Sequence, residues 1–455
     1  MSKNSSQYIT HSQGNQQKII NGFSKLSKEE KLNSVAAFLK YPEKAKAEYK
    51  SFWHDNPDIQ KRFDEFSENT ISNYYFPYGI APNVIINGKS YLVPMTIEES
   101  SVVAAASKSA KFWAARGGFH AKVHSVSKIG QVHFLYPGDK KALFSFFPAL
   151  KEQMIERVKP ITQNMEERGG GIENIELIDK TGDMENYYQV KATFNTVDSM
   201  GANFINSCLE EFAAELEKSV TESDRFSDAD KDITIIMSIL SNYTPECLVE
   251  TWVECDIKDL ENPDLGMDAE TFAYKFEKAV KVAQIDTYRA TTHNKGIFNG
   301  VDAVALATGN DFRAIEAAGH TYASRSGQYR SLSEVTIKDG KFRYSLKLPL
   351  AMGTVGGLTS LHPLVKKTLE LLENPKAEEL MMITATMGLA NNFGAIKSLV
   401  TNGIQKGHMK MHLLNILNAY DATEDEKKQA IEYFKNIKVS YANVSDFLVT
   451  LRKNN

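Results

Sequence analysis

The feature that most constrains the fold is the order of hydrophobic patterns between residues 126 and 235. A strand pattern (IGQVHFLY) is followed by a long helical pattern (ALFSFFPALKEQMIERVKPI), a glycine triplet and two strand patterns (IENIELID and YYQVKATFNT). A second helical pattern after DSMGAN and a last strand pattern (ITIIMSIL) complete the block. The order β-α-β-β-α-β is that of the split βαβ, or ferredoxin-like, arrangement. Because Ala/Gly-rich helical sequence resumes afterwards, we predict a small domain inserted into a larger one.

The sequence on either side of this block predicts the rest of an α+β protein. Ser27 and Glu30 form a capping-box pattern at the start of an amphipathic helix. Asn87-Gly88 fits a tight turn between two strand patterns. The predicted division is a large mixed α/β domain of residues 1–125 and 236–400, an inserted domain of residues 126–235, and a helical C-terminal domain of residues 401–455.

Composition excludes several classes of function. The chain has 455 residues, 42% hydrophobic and 24% charged, which is ordinary for a globular protein of two or three domains. A net charge of −4 argues against a generic nucleic-acid or anionic-membrane binder, since both need a basic surface. Three cysteines without a C-x-x-C pair indicate a reducing compartment and no structural zinc. The N-terminus lacks a signal-peptide core, and the longest charge-free run, Leu348 to Val365, holds prolines and glycines that a membrane helix rarely has. We therefore expect a cytoplasmic protein that binds neither nucleic acid nor membrane.

Four short segments each carry one ionisable side chain among small residues. They are TIEESSVVAAAS around Glu99, ATTHNKGIFNG around Lys295, ALATGNDFRAIEA around Asp311 and NGIQKGHMKMH around His408. An acid, a cation, a second carboxylate and an imidazole are the groups that move protons and stabilise an oxyanion. Together they indicate an enzyme active site.

Each of these residues also has a plain structural interpretation. Taken alone, Lys295 fits a surface loop, and Glu99 fits a surface acid that complements a helix dipole. Asp311, between an apolar strand-like run (VDAVALAT) and a predicted helix, fits a helix cap. His408 and His412 have the i, i+4 spacing of a zinc pair, but no third ligand follows at a recognisable spacing and HExxH is absent. We therefore predict no metal site.

Glycine-rich turns suggest a ligand that carries phosphate. In DSMGAN, Gly201 stands among small residues where a helix begins, a place where free backbone N–H groups bind anions. RGGGIEN and MGTVGGLTS are further turns of this kind. None of them is GxGxxG or a P-loop, so neither a Rossmann site nor a P-loop ATPase is indicated. A glycine-rich turn on its own is more often a bend than a cofactor site.

The four segments and DSMGAN, in this order, resemble 3-hydroxy-3-methylglutaryl-coenzyme A (HMG-CoA) reductase in its soluble bacterial class II form. The match runs from about Glu68 to His412. The resemblance implies catalytic roles for Glu99, Lys295, Asp311 and His408. It implies substrate contacts for Ser101, Arg289, Thr292 and Asn299. It implies cofactor contacts for Asp198, Met200, Gly201, Asn203 and Asn242.

The implied reaction is the reduction of HMG-CoA to mevalonate and free CoA by two NAD(P)H, a step of the mevalonate pathway of isoprenoid biosynthesis. Lys295 would stabilise the oxyanion, His408 would protonate the departing CoA thiolate, and Glu99 would supply a proton to the aldehyde. Asp311 would join Lys295 and Glu99 in one network with coupled titrations. The large domain would bind HMG-CoA, the inserted domain the dinucleotide, and the C-terminal segment would be a mobile flap that delivers His408. Members of the family bury their sites at a dimer interface, so a homodimer or higher homo-oligomer is implied.

Three departures from the family's motifs are present: Ser72 for Gly, Ser100 for Pro, and Asn391 where Gln is common. The stretch PITQNM has no acid of the kind that NAD-selective sites use on the adenine ribose, which favours NADPH over NADH. The alternatives are a degradative enzyme that oxidises mevalonate with NAD, and a non-catalytic CoA- or nucleotide-binding protein of the same fold. A thiolase or HMG-CoA synthase would need a nucleophilic cysteine in a glycine-rich turn, and none of the three cysteines has one. All four ionisable positions are intact, which favours an active enzyme.

Overall fold

The computed structural model describes residues 19–262, 265–401, 413–435, 437 and 439–453. The chain forms two compact units, Met1–Pro77 and Tyr78–Asn455. The helices of the first unit are α1 (Lys28–Ala36), α2 (Pro42–Ser51) and α3 (Pro57–Glu65). The strands of the second unit are β1 (Tyr78–Ile86), β2 (Lys89–Thr96), β3 (His120–Val123), β4 (Lys128–Leu135), β5 (Gly171–Asp179), β6 (Tyr187–Asn195), β7 (Thr234–Ser241), β8 (Leu248–Asp256), β9 (Ser333–Lys338) and β10 (Lys341–Pro349). Its helices are α4 (Ser100–Ala114), α5 (Lys140–Glu166), α6 (Ala202–Glu222), α7 (Ala269–Ile285), α8 (Thr287–Ala307), α9 (Phe312–Ala323), α10 (Leu358–Leu361), α11 (Pro363–Leu371) and α12 (Ala377–Val400), followed by Glu424–Tyr433 and Tyr441–Lys453.

The first unit confirms the predicted N-terminal helix. The Ser27 side chain accepts from the Glu30 N–H, and the Glu30 carboxylate accepts from the Ser27 N–H at 2.8 Å, so the capping box is complete. Helix α1 ends at Ala36, and its buried residues are Leu32 and Ala36. Ser72, one of the three departures, donates to the Tyr49 carbonyl at 2.6 Å.

The sheet β5-β6-β4-β7 confirms the predicted split βαβ topology. Its strands pair antiparallel, and the chain order is β4-α5-β5-β6-α6-β7. Helices α5 and α6 pack on the sheet and enclose a hydrophobic core of its own, which includes Phe134, Leu150, Phe194, Phe212 and Leu216. The predicted strands and helices fall within a few residues of the observed ones.

The rest of the second unit surrounds helix α12. The hairpin β1-β2 turns at Asn87 (φ 50°) and Gly88 (φ 84°), as predicted, and a second sheet has the order β3-β8-β10-β9. Helix α12 is buried on almost every side and packs against α4, α7, α8 and β8. Among the described residues, every helix is too short or too polar to cross a membrane.

One sequence prediction in this region is wrong. The run VDAVALAT, interpreted as strand-like, forms the C-terminal half of helix α8. Val301, Val304 and the alanines of this half are buried because α8 is enclosed by neighbouring elements. A short continuous apolar run has no periodicity that separates a buried helix from a buried strand.

Candidate active site

The predicted catalytic lysine lies in the middle of helix α8, so the surface-loop interpretation is wrong. Thr292, Lys295 and Asn299 have the spacing i, i+3 and i+7, which places them on one face of the helix. Thr292 and Lys295 are exposed, and Asn299 is half-buried. Three residues that were predicted to belong to one site therefore lie side by side on the same face of α8.

The opposite face of the same segment points inward and is structural. His293 and Asn294 are almost fully buried. The Asn294 amide donates to the Arg330 carbonyl at 2.9 Å, and His293 Nε2 lies 2.6 Å from Ser333 Oγ. Burial lowers the pKa of His293 to about 3, so its imidazole is neutral at physiological pH. These contacts fix α8 against the chain that leads into β9.

Arg289, one turn and a half before Lys295 on α8, is a half-buried cation. Burial lowers the pKa of its guanidinium, and the Tyr344 hydroxyl offsets only part of this effect. Among the described residues, no carboxylate oxygen lies within 4.0 Å of it. Lysine side chains on a helix lean towards its N-terminus, so we expect Lys295 to extend over the turn that holds Thr292. A partly desolvated guanidinium without a counter-ion favours an anionic ligand at this place.

Glu99 and Ser101 lie at the start of helix α4. Glu99 is the N-cap residue and is half-buried, and Ser101 Oγ donates to Glu99 Oε1 at 3.0 Å. Ser100, where the family has proline, occupies the first helical position. Helices α4 and α8 contact each other, and both pack on α12. Glu99 and Lys295 therefore belong to neighbouring helices of one rigid core.

Asp311 caps helix α9, as the structural interpretation predicted. Its carboxylate accepts from the N–H groups of Arg313 (3.0 Å) and Ala314 (3.2 Å). It also forms a two-point pair with the Arg313 guanidinium, Nε to Oδ1 at 3.0 Å and Nη2 to Oδ2 at 2.9 Å. Burial raises the pKa of Asp311, but the hydrogen bonds and charge of Arg313 outweigh it and hold the pKa below its usual value. Since VDAVALAT is helical, Asp311 stands in a helix–helix turn and not after a strand.

Asp311 and Lys295 are far apart within one chain. The Asn310 N–H donates to the Ala305 carbonyl at 2.8 Å, which holds this turn against the end of α8. Ala305 follows Lys295 by ten residues of helix, about 15 Å along the axis. The lysine side chain also leans the other way. A single chain therefore does not join Asp311 with Lys295 and Glu99 in the predicted network.

The segment DSMGAN (residues 198–203), hereafter the cofactor loop, turns into helix α6 at Gly201. Gly201 has φ 85°, and a Cβ there would lie 2.4 Å from Thr196 Cγ2, so only glycine fits. In the part of the chain that the structure describes, no side chain caps the first turn of α6, so its backbone N–H groups are available to an anion. These features suit the phosphates of a dinucleotide. Asn203, in that first turn, is exposed.

Asp198 holds the cofactor loop to the large core. Its Oδ1 accepts from the Ala377 N–H at 2.8 Å, at the N-terminus of α12. Its carbonyl accepts from the Thr354 N–H, also at 2.8 Å. Asp198 thus has a structural function, which the sequence did not indicate, beside the predicted cofactor contact.

Lys128 is a residue of this region that sequence reasoning missed. It begins strand β4, is only 4% exposed, and donates from Nζ to Thr196 Oγ1 (2.6 Å) and to the Ser199 carbonyl (3.2 Å). Burial lowers the pKa of its ammonium group. The available signal was a lysine at the head of an otherwise apolar strand. Lys128 thus holds the cofactor loop in place through the Ser199 carbonyl and the Thr196 side chain.

A cavity brings the predicted cofactor residues next to helix α9. Met200 and Asn242 line it together with Lys128, and Ala314, Ile315 and Ala318 of α9 form its other wall. Thr244 Oγ1, in the same wall, is buried and has no partner among the described residues. One chain therefore carries two groups of candidate residues. The substrate group lies on α4 and α8, and the cofactor group lies on the cofactor loop, Asn242 and the start of α9.

His408 and His412 lie outside the described residues. Among the residues that are described, no group of three or more His, Cys, Asp or Glu side chains is arranged to hold a metal ion.

Comparison with known proteins identifies close relatives. The family model described as hydroxymethylglutaryl-coenzyme A reductase matches residues 28–413. A 3-hydroxy-3-methylglutaryl-coenzyme A reductase of Archaeoglobus fulgidus is 36% identical over 421 residues, 91% of this chain and 90% of the relative. A probable enzyme of the same name from Borreliella burgdorferi is 32% identical over 413 residues, 88% of each chain. A solved Streptococcus pneumoniae structure of this name has a TM-score of 0.70 at 34% identity, covering 95% of this chain and 99% of that one. Another, described as the class II enzyme bound to NADPH in open conformations, has a TM-score of 0.68 at 33% identity, covering 94% and 100%.

Proposed function

We propose how the site works from one premise: the chain belongs to the hydroxymethylglutaryl-coenzyme A reductase family. Its α+β fold is that of the class II enzymes. It reduces HMG-CoA to mevalonate and CoA with two molecules of a reduced nicotinamide cofactor, each of which supplies one hydride. The residues below are assigned by their position in this structure together with the family motifs.

The substrate group binds the acid end of HMG-CoA and its thioester. Arg289 carries this assignment, because its half-buried guanidinium has no described carboxylate partner and the free carboxylate of HMG-CoA supplies one. Ser101 lies beside Glu99 and completes the contact. Lys295, on the same helix as Arg289, stabilises the negative charge that develops on the thioester oxygen. Thr292 and Asn299 flank it on the same face and orient the substrate.

Proton transfer is divided between two residues. His408 protonates the CoA thiolate as it leaves, since an imidazolium is more acidic than a thiol of pKa near 8.5. Glu99 donates the proton that converts the aldehyde oxygen into the hydroxyl of mevalonate. Asp311 balances the charge of Lys295 and couples it to Glu99.

The cofactor group binds the dinucleotide, and NADPH is the preferred form. The uncapped first turn of α6 and Gly201 suit the pyrophosphate, and Met200 and Asn242 contact the nicotinamide end of the cofactor. Residues 160–165, in the last turns of α5, contain no acid to bind a free ribose 2′-hydroxyl. A related structure is described as bound to NADPH.

The complete site is built from two copies of the chain. Within one chain, Asp311 is about 15 Å or more from Lys295 along α8 and is paired with Arg313. A homodimer that places the cofactor group of one subunit against the substrate group of the other brings Asp311 to Lys295. Asp311 then exchanges its exposed partner Arg313 for the catalytic lysine.

The reaction is tested by absorbance at 340 nm with HMG-CoA and either NADPH or NADH. We expect HMG-CoA-dependent oxidation of about two cofactors per substrate, faster with NADPH, and loss of this oxidation in Lys295→Ala. Absence of oxidation with both cofactors, in folded protein, would refute the proposal.

The shared site is tested by mixing two inactive variants, Lys295→Ala and Asp311→Asn. Asparagine keeps the cap of α9, so the second variant should fold. After subunit exchange, half of the dimers are mixed and each has one intact site, so about a quarter of wild-type activity should return. A matched mixture of Lys295→Ala with Glu99→Gln should stay inactive, because both residues belong to the substrate group. If the first mixture also stays inactive after proven exchange, Asp311 does not act across subunits.

A further inference from the structure

Asn310, the residue before Asp311, clamps one backbone unit of a distant segment. Its amide Nδ2 donates to the Gly353 carbonyl at 3.0 Å, and its Oδ1 accepts from the Gly353 N–H at 2.8 Å. The same amide lies 3.1 Å from Thr308 Oγ1, which anchors it to the end of α8. A single side chain thus satisfies both polar groups of Gly353, which is a rigid two-point contact.

The clamped segment lies directly on the cofactor loop. A Cβ on Gly353 would be 2.5 Å from the Met200 nitrogen and 3.0 Å from the Ser199 carbonyl carbon, so the two backbones touch here. The next residue, Thr354, donates its N–H to the Asp198 carbonyl at 2.8 Å. Val355 and Ser199 then form a parallel bridge. The three segments around Asn310, Gly353 and Met200 are therefore stacked through close main-chain contacts.

We propose that Asn310 is a positioning residue that holds the cofactor loop in its binding conformation and fixes that loop relative to Asp311. The identity of the ligand rests on the function proposed above. Asp198 and Lys128 also hold the loop, but Asn310 is the residue that ties it, through Gly353, to the turn that carries Asp311. Asn310 and Asp311 are adjacent in sequence, so the same pair of hydrogen bonds fixes the position of the cofactor loop and that of the Asp311 carboxylate.

The consequence for binding follows from preorganisation. Without the clamp, the loop occupies its binding conformation for only a fraction of the time, and the apparent dissociation constant rises by the inverse of that fraction. Among the described residues, no side chain of the substrate group on α4 and α8 forms a hydrogen bond with Gly353 or Asn310. Loss of the clamp should therefore weaken cofactor binding and spare HMG-CoA binding. A hydrogen bond that served only global stability would alter the two equally.

The test compares Asn310→Ala and Gly353→Ala with the control Asn87→Gly. Gly353→Ala perturbs the same contact from the other side, since its Cβ meets the Met200 nitrogen. Asn87, in the β1-β2 turn, makes the same kind of two-point contact with both backbone polar groups of Ala121 on β3, and its φ of 50° suits glycine. We expect KM for NADPH and its dissociation constant from fluorescence titration to rise about tenfold in both clamp variants, with KM for HMG-CoA unchanged. The control should change neither value.

Two outcomes would overturn the proposal. One is an Asn310→Ala variant that loses thermal stability or kcat with an unchanged KM for NADPH. The other is unchanged hydrogen exchange of residues 196–203 in Asn310→Ala, because loss of the clamp should make these residues exchange faster than in wild type and in the control. Exchange does not depend on turnover, so it separates failure of the clamp from failure of the proposed function. If wild type shows no HMG-CoA-dependent oxidation but the loop still exchanges faster in Asn310→Ala, the positioning role of Asn310 is supported and the proposed reaction is refuted.

Discussion

Two glycines four residues apart on helix α8 should respond to alanine in opposite directions. A Cβ on Gly300 would lie 2.2 Å from the Met387 carbonyl oxygen, 2.6 Å from its carbon and 2.7 Å from Asn391 Nδ2. All three atoms belong to α12, whose backbone is buried and rigid. Ordinary carbon contacts need about 3.5 Å, so α8 and α12 must separate by more than about 1 Å. A Cβ on Gly296 would meet only Asn392 Nδ2, at an ordinary 3.5 Å.

The magnitudes follow from these distances. Overpacking a well-packed interface destabilises a protein by about 1–3 kcal/mol. Replacing glycine by alanine inside a helix stabilises it by about 1 kcal/mol, because alanine has the higher helix propensity. Gly300→Ala should therefore destabilise the protein by up to about 2 kcal/mol, while Gly296→Ala keeps the propensity gain and stabilises it by up to about 1 kcal/mol. Gly296 faces α12, so Gly296→Ala should also keep most of its activity despite its position beside Lys295.

Thermal unfolding followed by circular dichroism, at one protein concentration, measures both effects. In a chain of this size, 1 kcal/mol corresponds to a shift of about 2 °C or less, so the opposite signs are more informative than the sizes. Equal shifts in both variants would refute the close approach of α8 and α12. Loss of activity in a stable Gly296→Ala would show that this glycine serves the substrate and not the packing.

Two further outcomes are expected. Burial, together with the Glu316 carboxylate, raises the pKa of Asp302 to about 8, whereas an unfolded Asp loses its proton near pH 4. The stability of the wild type should therefore fall as pH rises from about 4 to about 8. Asp302→Asn should have a higher melting temperature than wild type at about pH 8, and this difference should shrink towards about pH 5. A difference in melting temperature that does not depend on pH would contradict this assignment. Arg289→Lys keeps the charge but loses the fork geometry, so KM for HMG-CoA should rise about tenfold while KM for NADPH stays constant. An equal rise in both KM values would argue against a carboxylate contact.

Local patterns predicted most of the fold correctly. The capping box at Ser27, the turn at Asn87-Gly88 and the split βαβ order each depend on residues close together in sequence. The run VDAVALAT failed because burial on all sides removes the periodicity on which such predictions depend. The division into domains remains a prediction.

The site was predictable in its residue types but not in its geometry. The cap formed by Asp311 follows from its place before a helix, but its pairing with Arg313 and its distance from Lys295 follow from the path of α8, which was interpreted partly as a strand. Lys128 and Asn310 were missed because each acts on a segment remote in sequence. No local signal identifies such partners.

The segment THNKGIFNG shows why a motif is not a list of residues that touch the substrate. Thr292, Lys295 and Asn299 face outward, whereas His293, Asn294 and Gly300 fix α8 to the chain before β9 and to α12. The two sets alternate with the period of the helix, so one short segment meets a chemical and a packing requirement at the same time. The chemical set depends on the packing set, because a lysine stabilises an oxyanion only when the helix beneath it is held in place. Substitution of His293, Asn294 or Gly300 should therefore reduce kcat through the position of Lys295, although none of the three contacts HMG-CoA.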